Sequence, residues 1–129
     1  MKTLLSRLKN DNAVVSIVGD HLGSQNVTTA FFGGKAHFAI GSPSLAWKAG
    51  STLLPVFTVQ EAPGRHRIVI DEPIEPHRHL DRKVFVRAAV EEFSLRMQKA
   101  IRLYPGSWAD WGAFWGGGSI YREFPPHAS

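Results

Sequence analysis

The sequence predicts an α/β chain, a partial open mixed sheet flanked by helices. Three observations predict it. Residues 13–18 form an apolar run, rich in valine and isoleucine and broken only by Ser16. Such a run fits a strand buried on both faces, as in a parallel sheet. Residues 53–59 and 67–70 read as two further strands on either side of Pro63-Gly64, a tight-turn pair that makes them antiparallel neighbours. Residues 81–104 carry Val86, Val90, Phe93, Met97, Ile101 and Tyr104 at spacings of three and four, the mark of an amphipathic helix.

The remaining elements follow in chain order. Residues 3–10 read as the end of a helix, with Leu4, Leu5 and Leu8 on one side and Lys2, Arg7 and Lys9 on the other. Asn10-Asp11-Asn12 breaks it. The apolar run comes next and ends at Gly19-Asp20-His21. Residues 22–34 are loop by composition, with a short extended piece at 27–32. Ser42 at the N-cap and Pro43 at the first helical position start a short helix. Gly50 stops it. Residues 73–79 form a loop, and Pro105-Gly106 closes the long helix. The tail, residues 105–129, holds Trp108, Trp111, Phe114 and Trp115, then three glycines and Pro125-Pro126.

A strand at 13–18 joined to one at 53–59 through the Ser42 helix would be a right-handed parallel crossover. Ligands of such sheets sit beyond the C-terminal strand ends, where Asp20 and His21 fall. The chain opens in mid-helix, and its first strand is already an inner one. The whole is therefore expected to be a single partial domain over 1–129, the back half of a larger sheet.

Composition narrows the classes. The chain has 129 residues, 43% hydrophobic and 20% charged, the balance of one ordinary globular domain. No window offers the roughly 18 apolar residues that a membrane span needs. Two leucines after Lys2 are too few for a signal-peptide core. With no cysteine, disulfides, thiolate nucleophiles and zinc–thiolate sites are excluded. The net charge is +4 and the pI about 9.8, a mild basic excess that suits phosphate, an acidic membrane or nucleic acid. The basic residues are scattered and the aromatics cluster away from them, which speaks against nucleic acid.

Five constellations bear on chemistry. In Gly19-Asp20-His21-Leu22-Gly23 a carboxylate stands beside an imidazole after a buried strand, which is a candidate acid/base or orienting pair. Adjacent strand residues point to opposite faces, and spacing alone favours a simple turn. In Phe31-Phe32-Gly33-Gly34-Lys35 the glycines allow close backbone approach and Lys35 offers a charge for phosphate. The spacing is not that of a Walker loop, and the plain reading is an aromatic plug and a turn. His66 and Asp71 match the pattern His-x4-Asp, but their odd separation on a strand places them on opposite faces, so the match is read as chance. His77 and His79 lack further metal ligands nearby and read as solvated loop. Trp108, Trp111 and Trp115 share a helical face. They suit either a membrane interface or packing on the sheet, with core packing placed first.

Taken in order, these pieces resemble the lysophospholipid acyltransferase superfamily, most closely its lipid A biosynthesis lauroyl/myristoyl branch. The residues that carry the resemblance are Val14 to Val18, Asp20-His21, Gly23, Phe31-Phe32-Gly33, the Leu45 to Gly50 helix, Leu54-Pro55-Val56-Phe57, Arg65 to Ile70 before Pro73, and Pro105 with Trp108 and Trp111. The order holds over nearly the whole chain. The resemblance implies the second half of a glycerolipid acyltransferase-like fold. It implies acyl transfer from acyl carrier protein or acyl-CoA to a glycolipid hydroxyl, with no cofactor and no metal. It implies a peripheral place on the cytoplasmic face of the bacterial inner membrane, or in the cytoplasm for a fragment.

In that family a histidine in a His-x4-Asp/Glu motif, well ahead of the Asp20 position, acts as general base. Residues 1–19 hold no histidine. The resemblance therefore makes Asp20 an accessory carboxylate. The candidate substrate contacts are His21, at a position variable in the family, with Gly23, Phe32, Gly33 and Lys35, and the candidate membrane contacts are Trp108, Trp111 and Trp115. Gly112, Ala113 and the three glycines depart from the arginines that often follow the family's tryptophan pair. The competing expectation is a non-catalytic module that docks on a membrane or on a partner supplying strands. Oligomeric state is open at this point.

Overall fold

The computed structural model describes residues 2–17, 25–75 and 79–107. Its elements are α1 (Lys2–Asn10), β1 (Asn26–Phe31), β2 (Gly34–Ala39), α2 (Gly41–Ala49), β3 (Val56–Ala62), β4 (Arg65–Ile70) and α3 (Arg82–Leu103), closed by a 3₁₀ turn at Pro105–Ser107. Helices and strands are mixed, as an α/β chain requires. The described strands, however, form two separate two-stranded antiparallel sheets, β1–β2 and β3–β4. No parallel pair occurs among them. The physical reason is local. Each pair is joined by a turn of two residues, and a turn that short returns the chain antiparallel.

The apolar run at 13–17 departs most from expectation. It forms no strand, and Val14 is 95% exposed. A run of this composition needs neighbours on both edges to become an inner strand, and no described strand pairs with it. The parallel crossover through α2 is therefore absent from the described fold. The extended piece foreseen within the 22–34 loop is instead a full strand, β1, registered from Asn26↔Ala39 to Phe31↔Gly34. Its partner β2, Gly-Lys-Ala-His-Phe-Ala, carries no β-branched residue and gives little strand signal.

The helices follow expectation more closely. Gly50 adopts the left-handed conformation, φ 68°, and its N–H donates to the Ala46 carbonyl. The cap at the other end of α2 is Ile40 rather than Ser42, without a side-chain hydrogen bond. Asp81 caps α3, its carboxylate accepting from the Lys83 N–H at 3.1 Å. β3 starts at Val56, later than the composition suggests. Leu53 pairs instead with Ile74 in an isolated bridge. Gly64, at φ 75°, makes the turn between β3 and β4.

The core lies between α3 and β1–β2. Phe31, Ala36, Phe38, Val86, Val90, Met97 and Ile101 form one buried cluster. Phe93 joins the two sheets across α3: its ring is edge-on to Phe38 at 6.1 Å and stacked on Phe57 at 5.9 Å. α2 packs on the same helix, and Leu45 and Ala46 of α2 and Phe85 and Ala89 of α3 are all buried. Two hydrogen bonds fix this contact. The Trp47 indole donates to the Leu80 carbonyl at 3.1 Å, and the Arg82 guanidinium to Ser44 Oγ at 3.0 Å. Phe85 is 2% exposed. Phe85→Ala should therefore cost about 3–5 kcal/mol, read as a lower urea midpoint with an unchanged slope.

Candidate functional site

The best-defined chemistry sits where the β1–β2 turn meets α3. Phe31↔Gly34 closes the hairpin, leaving Phe32 and Gly33 as a two-residue loop with φ 47° and 77°. Positive φ at both central residues is what a twisted hairpin turn demands. Gly33 adopts it freely. For a phenylalanine the left-handed conformation costs about 1–2 kcal/mol, so something must hold Phe32 there.

Three contacts do so. The Phe32 N–H donates to Gln98 Oε1 at 3.1 Å. The Phe32 ring is edge-on to Phe31 at 4.8 Å. The Arg102 guanidinium lies 5.3 Å from the ring centroid, within cation–π range. Gln98 is itself held. Its Nε2 donates to Ser94 Oγ at 3.1 Å and to the Ser94 carbonyl at 3.2 Å, and Ser94 Oγ donates to the Ala30 carbonyl at 2.9 Å. Both side chains are buried, so each needs these partners. The spacing fits. Four helical residues rise about 6 Å, close to the nearly 7 Å spanned by two strand residues. Ser94 and Gln98 thus reach Ala30 and Phe32. Farther along, the Arg87 guanidinium donates to the Thr28 carbonyl at 3.4 Å.

The tip of this turn is open. A Cβ built on Gly33 would meet nothing within 4 Å, so the backbone is accessible to a ligand. Lys35 is exposed, on the face of β2 opposite to buried Ala36 and Phe38. On the same face Thr28 Oγ1 and His37 Nδ1 lie 2.7 Å apart, a cross-strand pair brought together by the register Thr28↔His37. The arrangement offers cations, accessible backbone and an aromatic edge, which suits holding an anionic or amphipathic group.

Of the residues singled out in the sequence, Phe32, Gly33 and Lys35 gather on this hairpin. Asp20, His21 and Gly23 lie outside the described residues, as do Trp108, Trp111, Trp115 and His77. His66 and Asp71 are not brought together. His66 stands opposite Gln60, whereas Asp71 lies past the other end of β4, where its N–H donates to the Pro55 carbonyl at 2.9 Å. Among the described residues no group of three or more acidic or histidine side chains would hold a metal ion. Neither of two depressions of about 310 and 330 Å³ is lined by the hairpin tip. One lies beside the β3–β4 turn and the other against α3 near Phe85 and Arg96.

Ser94, Gln98 and His37 were missed by sequence reasoning. The available signal was narrow: a serine and a glutamine one turn apart, each directly after a core residue, Phe93 and Met97. No protein-family model matches the chain, and no curated protein or solved structure matches it either.

Gln98→Leu would remove one hydrogen-bond partner each from the half-buried Phe32 N–H and from Ser94. A loss of about 1–3 kcal/mol follows, with hydrogen exchange at the Phe32 amide accelerated beyond the global effect.

Proposed function

We propose that this chain is the second half of a lipid A-type acyltransferase domain, one that passes a fatty acyl group from acyl carrier protein or acyl-CoA to a lipid-linked glycan hydroxyl. The observation that carries the reading is the order of its motifs, from Asp20-His21 through Phe31-Phe32-Gly33, Pro55-Val56 and Arg65 to Pro105, Trp108 and Trp111. The finer architecture, one open mixed sheet flanked by helices, belongs to the same proposal, as does a peripheral place on the cytoplasmic face of the inner membrane. No helix among the described residues is long and apolar enough to cross a membrane.

In this reading the hairpin tip contacts substrate. Gly33 leaves room for it, Phe32 offers a ring edge, and Lys35 pairs with a phosphate of the donor's carrier group. The same reading assigns His21 and Gly23 to substrate binding and makes Asp20 an accessory carboxylate. The acceptor hydroxyl attacks the thioester carbonyl, the C–O bond forms as the C–S bond breaks, and the hydroxyl proton passes through a base to the departing thiolate. That base is the histidine of the His-x4-Asp/Glu motif, and residues 1–19 do not supply it.

A second reading, a non-catalytic docking module, is favoured by one observation. Leu54, Val56, Ile68 and Ile70 are each at least half exposed, an apolar surface larger than scattered single residues would make.

An acyl-transfer assay with acyl carrier protein and a lipid glycan acceptor tests the first reading. The 129-residue polypeptide should bind the donor yet turn over at least about 10²–10⁴-fold more slowly than an enzyme with its base in place. Lys35→Ala should weaken donor binding about tenfold. Robust turnover by this polypeptide would refute the assignment of the base, and donor binding indifferent to Lys35 would refute the hairpin's role. Vesicle sedimentation addresses the second reading, with binding expected to fall in Trp111→Ala and Trp115→Ala; unchanged binding would count against membrane docking through the tail.

A further inference from the structure

Two features outside the hairpin site are unpartnered among the described residues, and they complement each other. The first is the outer edge of β4. Among the described strands β4 pairs with β3 alone, and on one face beside that edge Ile68 and Ile70 are 68% and 65% exposed. Edge strands are normally blunted by charge, proline or a bulge. Here the arginines 65 and 67 and the irregularity at Gln60/Ala62 gather at the turn end, and Asp71, Glu72 and Pro73 come only after the strand, so among the described residues the Ile68-Val69-Ile70 stretch itself carries none of these devices. The second feature is the segment 13–17, Ala-Val-Val-Ser-Ile. It carries no charge and no proline, belongs to no helix or strand, and exposes Val14 almost fully.

We propose that residues 13–17 of one copy add as a strand to the outer edge of β4 in a second copy, and that the reciprocal exchange closes a two-fold dimer. Donor and acceptor stand on the same chain and neither pairs with another described strand, which suits a closed, self-complementary pair. They match in length, five residues against six in β4. They match in chemistry, since backbone donors and acceptors pair by strand addition, and Val14, Val15 and Ile17 of the donor are offered to Ile68, Val69 and Ile70 of the acceptor. Arg67 falls within a five-residue pairing, but strand addition covers the backbone edge and leaves its half-exposed side chain on the sheet face, in water. A lone two-stranded sheet is marginal in water, and the added strand makes β3–β4 three-stranded. The inference is independent of acyl transfer.

Sedimentation velocity on the full chain over a wide concentration range reads the association directly. The wild-type chain should dimerise as concentration rises. Val14→Lys in the donor segment and Ile70→Lys on the acceptor edge should each weaken self-association about tenfold or more. Mixed, these two variants should recover a heterodimer, because one keeps a good acceptor and the other a good donor. The absence of cysteine allows a milder test that survives any folding defect of the lysine variants. Ser16→Cys and Ile68→Cys chains, mixed and treated with a bis-maleimide linker, should couple to each other more than either couples to itself. A monomer at every concentration overturns the proposal. So does association untouched by both lysine variants, or a Ser16→Cys, Ile68→Cys double variant that links only within its own chain.

Discussion

The open edge of β1 is the constraint around which this fold is arranged. An edge strand presents a row of backbone groups that must be paired or solvated. Along β1 and its turn, three of those groups are taken up by neither water nor a described strand. They meet side chains of α3: Arg87 at Thr28, Ser94 at Ala30 and Gln98 at Phe32. A helix thereby does the work of a neighbouring strand. The same contacts fix the height and rotation of α3 over the hairpin, so the apolar stripe from Val86 to Ile101 falls onto Phe31 and Phe38. A fully apolar helix face would bury the same area but would leave the Ala30 carbonyl and the Phe32 amide unsatisfied.

The two hairpins depend on α3 to different degrees. β1–β2 contributes three members of the buried cluster and touches α3 along its length. β3–β4 reaches it chiefly through Phe57, whose ring stacks on Phe93, and Val59, which is 4% exposed. The opposite face of β3–β4 leaves Val56, Ile68 and Ile70 in solvent. Its polar contacts are peripheral: Arg67 pairs with Glu61 and donates to the Tyr104 hydroxyl, and exposed pairs of this kind add little to stability. One hairpin is thus core and the other largely surface, although both have similar length and antiparallel registers.

Much of this was legible in the residues. The long helix, its apolar stripe, the Gly50 stop and the Pro63-Gly64 turn all rest on local signals, and each local signal has a local cause. The pairing of strands is where the reading departed. Residues 13–18 carry the composition of an inner strand, but composition names a preference for burial and not a partner. Conversely, β2 lacks β-branched residues, and its place is set by the turn at Phe32-Gly33 and by packing of Ala36 and Phe38 on α3. The same limit applies to the site. Gly33 and Lys35 are visible as residue types in a turn. The Ser94–Gln98 clamp arises from contacts between residues more than sixty positions apart, such as Ala30 with Ser94, and periodicity along one helix does not reveal them.

The position of α3 in the chain has a consequence for biosynthesis. Both hairpins bury their aromatic residues against a helix that leaves the ribosome after them. At about 5–20 residues per second, the stretch from Ile70 to Ile101 takes roughly 2–6 s to emerge. During that interval Phe31, Phe38 and Phe57 lack the helix that buries them, and the nascent chain exposes its future core as two short hairpins. A chaperone that recognises extended aromatic segments would meet this polypeptide before its own scaffold does, and synthesis speed over residues 71–101 would set how long that encounter lasts.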